Sequence, residues 1–295
     1  MNKCKQKLSL CFLLLVLLFL LAICFLAGKN LEKHIVNEQP NIIETKIIGE
    51  EDYPYHYISN NDRKEEYENA IEIDLNNVGN NYLIEDGGEY LLSGVLNGTI
   101  VIDAKDETVH LFLNNVTINS TGGPALIVKK ANKVIITSLL ETNNIISDNG
   151  DYKNYNEYEA CINSESNLVF NGQGTLNIYG LYKDAVRTND VVKIIDGTIN
   201  IESKKTAIHG TDGIHICGGD MYIATEKYGL KSTKNGSDNR GVIIISGGDI
   251  DIIAGRYAFV SEASLYIYNC NINQKAVATY DVKNEKYIES GCINE

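Results

Sequence analysis

From Thr175 onward, polar and apolar residues alternate in short runs: Thr175–Ile178 (TLNI), Thr198–Ile201 (TINI), Asp220–Ile223 (DMYI), Asp249–Ile252 (DIDI) and Asn271–Asn273 (NIN). Their first residues lie 23, 22, 29 and 22 positions apart. Alternation with period two marks a half-buried strand, and a near-constant step of this size marks stacked coils. Two more strand-like runs precede each rung at matching offsets. One set is Ala160–Ser164, Asp184–Thr188, Thr206–Gly210, Tyr228–Ser232 and Tyr257–Ser261; the other is Val192–Ile194, Ile214–Ile216, Ile243–Ile245 and Leu265–Ile267. Three strands and three corners in about 22 residues, at roughly 3.3 Å per residue, close a small triangular coil. The pattern predicts an all-β, right-handed parallel β-helix, because parallel crossovers favour that hand. A β-propeller needs about 40 residues per blade, and a leucine-rich repeat needs its own Leu/Asn pattern; neither fits.

Stacking turns the repeat into columns. Leu176, Ile199, Met221, Ile250 and Ile272 form one predicted inward column, and Ile162, Val186, Ile208, Leu230 and Phe259 a second. Val192, Ile214, Ile243 and Leu265 form the third. The long step carries about seven extra residues, placed at Lys231–Arg240 (KSTKNGSDNR), whose Gly, Ser, Asn and Asp mark a surface loop. Ser147–Glu159 interrupts the period in the same way. Further strand-like runs extend upstream less regularly, from Ile71–Leu75 through Val134–Thr137.

The N-terminus is of a different kind. Lys3, Lys5 and Lys7 precede an apolar run from Leu8 to Ala27, long enough to span a bilayer. Residues 1–28 therefore read as a signal anchor or a signal peptide; the bulky Phe25 at a cleavage offset favours the anchor. The basic residues belong on the cytoplasmic side, which places the rest at the extracellular face of the cell membrane, or secreted. Residues 29–69 are acidic and weakly patterned and read as a stalk or linker, and residues 70–295 as the β-helix domain. A net charge of −13 argues against a nucleic-acid partner. The chain has no Trp and 18 Tyr. Cys161, Cys217, Cys270 and Cys292 are too far apart for zinc-ligand spacing and share no column, so they read as buried thiols, with a disulfide left open.

No Gly-x-Ser-x-Gly elbow, phosphate loop or His-Glu-x-x-His motif is present. What the solenoid does create is a stack. Asp190 and Asp212 occupy equivalent corners of consecutive coils, where adjacent strands lie about 4.8 Å apart. Like charges at that spacing call for a cation, a proton or a basic group between them. With Asp184, at the start of the same strand, they form a candidate calcium set of hard oxygen ligands. The alternative is ordinary Asp turn chemistry with the side chains in water. Arg187, His209 and Lys231 form an outward row suited to acidic sugars or to balancing neighbouring acids. Tyr222 and Tyr266 read as outward rings able to stack on sugars, or as plain cross-strand neighbours.

The stretch Gly88–Ala104 (GEYLLSGVLNGTIVIDA) resembles the opening of a clostridial family of carbohydrate-binding domain-containing proteins. Val109–Ile118 (VHLFLNNVTI) continues the match, and Tyr182–Asp190 (YKDAVRTND) is similar to the family's Tyr-Lys-Asp-Gly-Ile-Lys-Ser-Lys-Asp run. The likeness covers residues 70–275. It implies a secreted right-handed β-helix, pectate-lyase-like in shape, that binds calcium and plant cell-wall polysaccharides without demonstrated cleavage. By position, Asp184, Asp190 and Asp212 match the family's recurring acids. Thr206, Tyr228 and Tyr257 depart from it where an Asp commonly begins the strand, and Lys234 and Ala263 replace the second acid, so fewer calcium sites are expected. The expected function is thus an anchored or secreted, monomeric, non-catalytic polysaccharide-binding module, helped by calcium. Two alternatives stand beside it. One is a calcium-dependent polyuronate lyase with Arg187 or Lys231 as base; the other is a structural or adhesion module of the cell surface.

Overall fold

The computed structural model describes residues 56–235 and 237–294. They form a right-handed parallel β-helix: 24 strands belong to one continuous parallel sheet that winds around the axis. Each coil supplies one strand to each of three faces. In the regular half, the first face stacks Ala160–Ser164, Asp184–Thr188, Thr206–Gly210 and Tyr228–Ser232. The second stacks Asn167–Gly172, Val191–Ile194, Gly213–Ile216, Val242–Ile245 and Leu265–Ile267. The third stacks Thr175–Gly180, Thr198–Ser203 and Asp220–Thr225, and continues into Asp249–Ser261 and Asn271–Val282.

The registers match the predicted columns. Leu176 pairs with Ile199, Ile199 with Met221, Met221 with Ile250 and Ile250 with Ile272. Val186 lies between Ile162 and Ile208, and Leu230 between Ile208 and Phe259. All these side chains are buried in one core that runs the length of the solenoid. Fully burying such an aliphatic side chain contributes about 1.5–3 kcal/mol, so the core is a sum of nearly equal layers.

The irregular upstream half has a simple cause. Gly88–Leu96 and Thr108–Asn119 each run around a corner, serving the second face and then the third as one strand. The register slips between Ser93 and Gly94, and on the partner strand Asn115 takes the bend at φ 55°. Asn tolerates that left-handed conformation, so no Gly is needed to mark the turn.

The second face carries the largest departure from the sequence reading. Its outward column runs Glu89, His110, Ile135, Val169, Lys193, His215, Ile244 and Tyr266. Residues 56–64, expected within the linker, lie along this column instead of leaving the body. The His56 carbonyl accepts from His215 Nδ1 at 3.0 Å, and Lys193 donates to the Tyr57 carbonyl. Ile58 packs on Ile135, Val169 and Ile195, Asp62 pairs with Lys133, and Lys64 with Glu89. The segment therefore runs antiparallel to the growth of the solenoid, as a strap from the coil of His215 back to the coil of Glu89. Residues 29–55 of the expected linker and the expected anchor over 1–28 lie outside the described residues. Among the described residues no helix is long and apolar enough to cross a membrane.

Candidate functional site

The five residues expected to meet sugar are dispersed. Tyr266 is in the outward column of the second face, but that face is closed to solvent: Tyr266 is 1% exposed and its hydroxyl donates to Glu285 Oε2 at 2.7 Å. It cannot stack on a ligand, which corrects the sequence reading.

Arg187, His209 and Lys231 do form a row in consecutive coils of the first face. The row is turned inward on itself. Arg187 Nη1 lies 2.9 Å from Glu159, 3.3 Å from Asp184 and 3.1 Å from His209 Nδ1. Glu159, from the Ser147–Glu159 loop, also takes a hydrogen bond from Lys183 and lies 3.5 Å from Lys205. The Lys183 hydrogen bond, followed by the charges of Lys205 and Arg187, lowers its carboxyl to about 2. His209 is 4% exposed, and burial lowers its pKa, so it is neutral near pH 7. Lys231 lies over the Tyr228 ring, 5.0 Å from its centre.

His209 Nε2 is 3.1 Å from Thr233 Oγ1 and its Nδ1 is 3.4 Å from Asp184 Oδ2, an outline that resembles an acid–histidine–hydroxyl line. Arg187 breaks the resemblance. Burial, together with the Arg187 guanidinium 3.1 Å from Nδ1, opposes the imidazolium that a base at this position would have to form.

The calcium set does not fit either. Asp184 begins its strand and Asp190 lies in the corner beyond its end at Thr188, so about 13 Å of extended strand and part of a corner separate them and no single ion reaches both. Asp184 is 0% exposed; its Oδ2 faces Arg187 and His209, and its Oδ1 has no hydrogen-bond partner among the described residues. Asp190 and Asp212 do stack, with the Asp212 amide donating to the Asp190 carbonyl at 3.1 Å. Asp212, however, is held by Arg240 at 3.0 Å. Among the described residues no group of three or more His, Cys, Asp or Glu is placed to share a metal ion. The three carboxylates are thus two separate, cation-paired sites, and the predicted ligand set is corrected.

Tyr222 is the expected ring that the structure leaves exposed. On the third face an outward column runs Asn177, Asn200, Tyr222, Asp251, Asn273 and Asn294. Asn200 Nδ2 donates to Asn177 at 2.9 Å and Asn177 Nδ2 to Asn143 at 2.7 Å; beyond Tyr222, Asn273 Nδ2 donates to Asp251 at 2.8 Å. Tyr222 interrupts this amide ladder and is 43% exposed. In the next outward column Ala224 stands between Glu202 and Ile253, and its small side chain leaves room on that side. Two shallow grooves result and meet at Ile253. One, of about 290 Å³, is lined by Tyr222, Asp251, Ile253, Asn273 and Lys275; the other, of about 300 Å³, by Leu181, Glu202, Lys204 and Ile253. Leu181 and Ile253 are as exposed as Tyr222. Exposed apolar surface bordered by amides and charges is the pairing that a sugar ring requires. The sequence reading named Tyr222 as an outward ring and did not name its groove neighbours Ile253 and Leu181 or the Asn ladder.

Comparisons agree with this architecture. A family model for carbohydrate-binding domain-containing proteins matches residues 78–292. A carbohydrate-binding domain-containing protein of Acetivibrio thermocellus is 29% identical over 216 residues, covering 70% of this chain and 75% of its own length. A polysaccharide lyase-like protein from C. thermocellum, solved as a gadolinium derivative, superposes with a TM-score of 0.70 at 26% identity, covering 76% of this chain and 98% of that one. The chain belongs to the family of carbohydrate-binding domain-containing proteins.

Proposed function

We propose that this protein binds polysaccharide without cleaving it, at the cell surface or as a secreted protein, and that the glycan lies along the third face across Tyr222. The observation that carries the reading is the pair of adjoining grooves in which Tyr222, Ile253 and Leu181 stand exposed, bordered by the Asn and Asp column on one side and by Glu202 and Lys204 on the other. A parallel β-helix repeats its outward side chains at about 4.8 Å, so the face offers a row of similar contacts to a polymer that is itself periodic. Each contact is weak, and affinity comes from their number.

The family's name supports the carbohydrate part of this reading. The non-catalytic part is supported by the first face. Arg187 donates to the carboxylates of Glu159 and Asp184, which is work for a cation and leaves no lone pair to abstract a proton.

Calorimetric titration of the protein with pectins, cellulose and xylan tests the proposal. Binding to at least one glycan is expected, with Tyr222→Ala weakening it about tenfold at unchanged melting temperature. Heat from none of the glycans, or an unaltered affinity in the variant, would sink it. Unsaturated products appearing from polygalacturonate by ultraviolet absorbance would instead revive the lyase reading.

A further inference from the structure

Asp190 and Asp212 stand one above the other at the corner that follows the first face. At that corner in the next coil the chain places Lys234 and then the inserted loop. The loop does not project away. After Tyr228–Ser232 it turns back, with the Lys234 amide donating to the Thr211 carbonyl at 3.0 Å and the Gly241 amide to the Asp212 carbonyl at 2.6 Å. Gly241 has φ 81°, and a Cβ there would fall 1.9 Å from the Lys234 carbonyl oxygen, so only glycine closes the loop this way.

What the closed loop delivers to the corner is Arg240. One arm of its guanidinium donates to Asp212 Oδ2 at 3.0 Å and the other to Asp238 Oδ2 at 3.0 Å. Lys234 Nζ adds a longer contact to Asp212 Oδ1 at 3.9 Å. Asp190 feels the same group: burial and then the neighbouring Asp212 charge raise its carboxyl, and Arg240 opposes them. A divalent ion bound to Asp212 would need to sit about 2.4 Å from its oxygens, inside the volume that the guanidinium fills, and would need six to eight oxygen ligands around it. The two cations exclude each other.

We infer that Arg240, carried in by the inserted loop, is a built-in cation that takes the place a metal ion would have on Asp212, the second of the two stacked carboxylates. The solenoid beyond Asp190 is thereby made independent of calcium. The insertion is then the device that delivers this cation. This explains a feature of the sequence: where the acidic column stops, the basic residues Lys234 and Arg240 begin.

The test is thermal unfolding of the full chain in chelator and in millimolar calcium chloride. The wild-type curves should coincide. Arg240→Ala should melt several degrees lower, and part of that loss should return either with added calcium or with Asp212→Asn in the same chain, since both relieve the exposed like-charge pair. Should Arg240→Ala fail to fold, R240Q/D212N replaces it and should melt above R240Q, as it carries neither the cation nor the charge it balanced. A wild-type melting temperature that climbs with calcium overturns the inference. So does an Asp212→Asn change that lowers the Arg240→Ala protein further, because Arg240 would then be an ordinary surface partner.

Discussion

The second and third faces of this solenoid are built from the same repeat, yet one is closed and the other open. On the second face the outward column carries Ile135, Val169 and Ile244 among its members, and all three are buried. On the third face the corresponding outward column carries Asn177, Asn200, Tyr222 and Asp251, and it faces solvent. The difference lies in what the outward positions offer. An apolar outward column must be covered, and residues 56–64 cover much of it, with polar clasps at His215, Lys193 and Lys133 that fix where the strap lies. A column of amides satisfies its own hydrogen bonds along the ladder and can stay uncovered. Of two otherwise similar faces, the one left bare is therefore the one available to a ligand.

The strongest way to break the comparison is to open the closed face. Asp62 is 0% exposed and sits between Lys133 and Lys193. Burial works to raise its carboxyl, but the Lys133 hydrogen bond and the Ser59 amide together outweigh it and hold the group below its usual value. Removing one member of a buried ion pair strands the other, which costs about 3 kcal/mol or more. Asp62→Ala should therefore lose about that much by chemical denaturation, while Asp62→Asn, which keeps one acceptor oxygen, should lose less. Glycan affinity measured below the transition should not change in either. An Asp62→Ala protein as stable as the parent would show that the strap only rests on the solenoid.

Acid should loosen the same face by a second route. Burial lowers His215 and His110 to about 4, and lowers His56 well below its ordinary value. A base with a depressed folded pKa takes up its proton more readily when unfolded. Stability is therefore full above about pH 6.5, falls as the pH drops toward 4, and the loss is complete below that. Each histidine near 4 contributes a loss of about 3 kcal/mol. Around His215 the neighbouring charges are those of Lys193 and Arg63, which deepen the effect, and the His56 carbonyl, which opposes it. Asp148 works in the opposite direction: burial pushes it up to about 6, so it gains as the pH falls through that value. With four histidines, His209 among them, against the two raised carboxyls of Asp148 and Asp190, the melting temperature should decline between pH 6.5 and 4, and His215→Gln should flatten the decline. A flat profile in the parent protein would show the histidines to be solvated.

These two tests act on a region the sequence scarcely announced. The rungs were legible because period two is imposed by the backbone, and the buried columns followed from the 22-residue step. The strap has no period. Its residues work one by one, Asp62 through Lys133 and His56 through His215, and in sequence they are indistinguishable from an acidic linker. Tyr266 was misread for the same reason, since alternation tells which way a side chain points but not whether something lies over it. Stacking placed Asp190 on Asp212, but the cation that holds Asp212 came from a loop whose return path depends on Gly241. Asp184 was grouped with that pair by sequence pattern, although the length of its strand already separates them. Tyr222 was identified as a ring in the right column, and the groove beside it depended on the size of a neighbour, Ala224.

The smallest effect sharpens the comparison from the open side. Asn177 donates to Asn143 at 2.7 Å and accepts from Asn200 at 2.9 Å, so Asn177→Ala removes the middle of the ladder. These bonds lie at the surface, where water replaces a lost partner, and their net worth is about 1 kcal/mol at most. The melting temperature should accordingly move little. Glycan binding should weaken more than stability does, because the Asn200 amide is then free to turn away from Tyr222 and the row of polar contacts is interrupted. That profile is the reverse of the one expected for Asp62→Ala. If Asn177→Ala instead lowers stability as much as the strap variant and leaves affinity untouched, the ladder is a structural seam like the clasped face, and the distinction between the two faces falls.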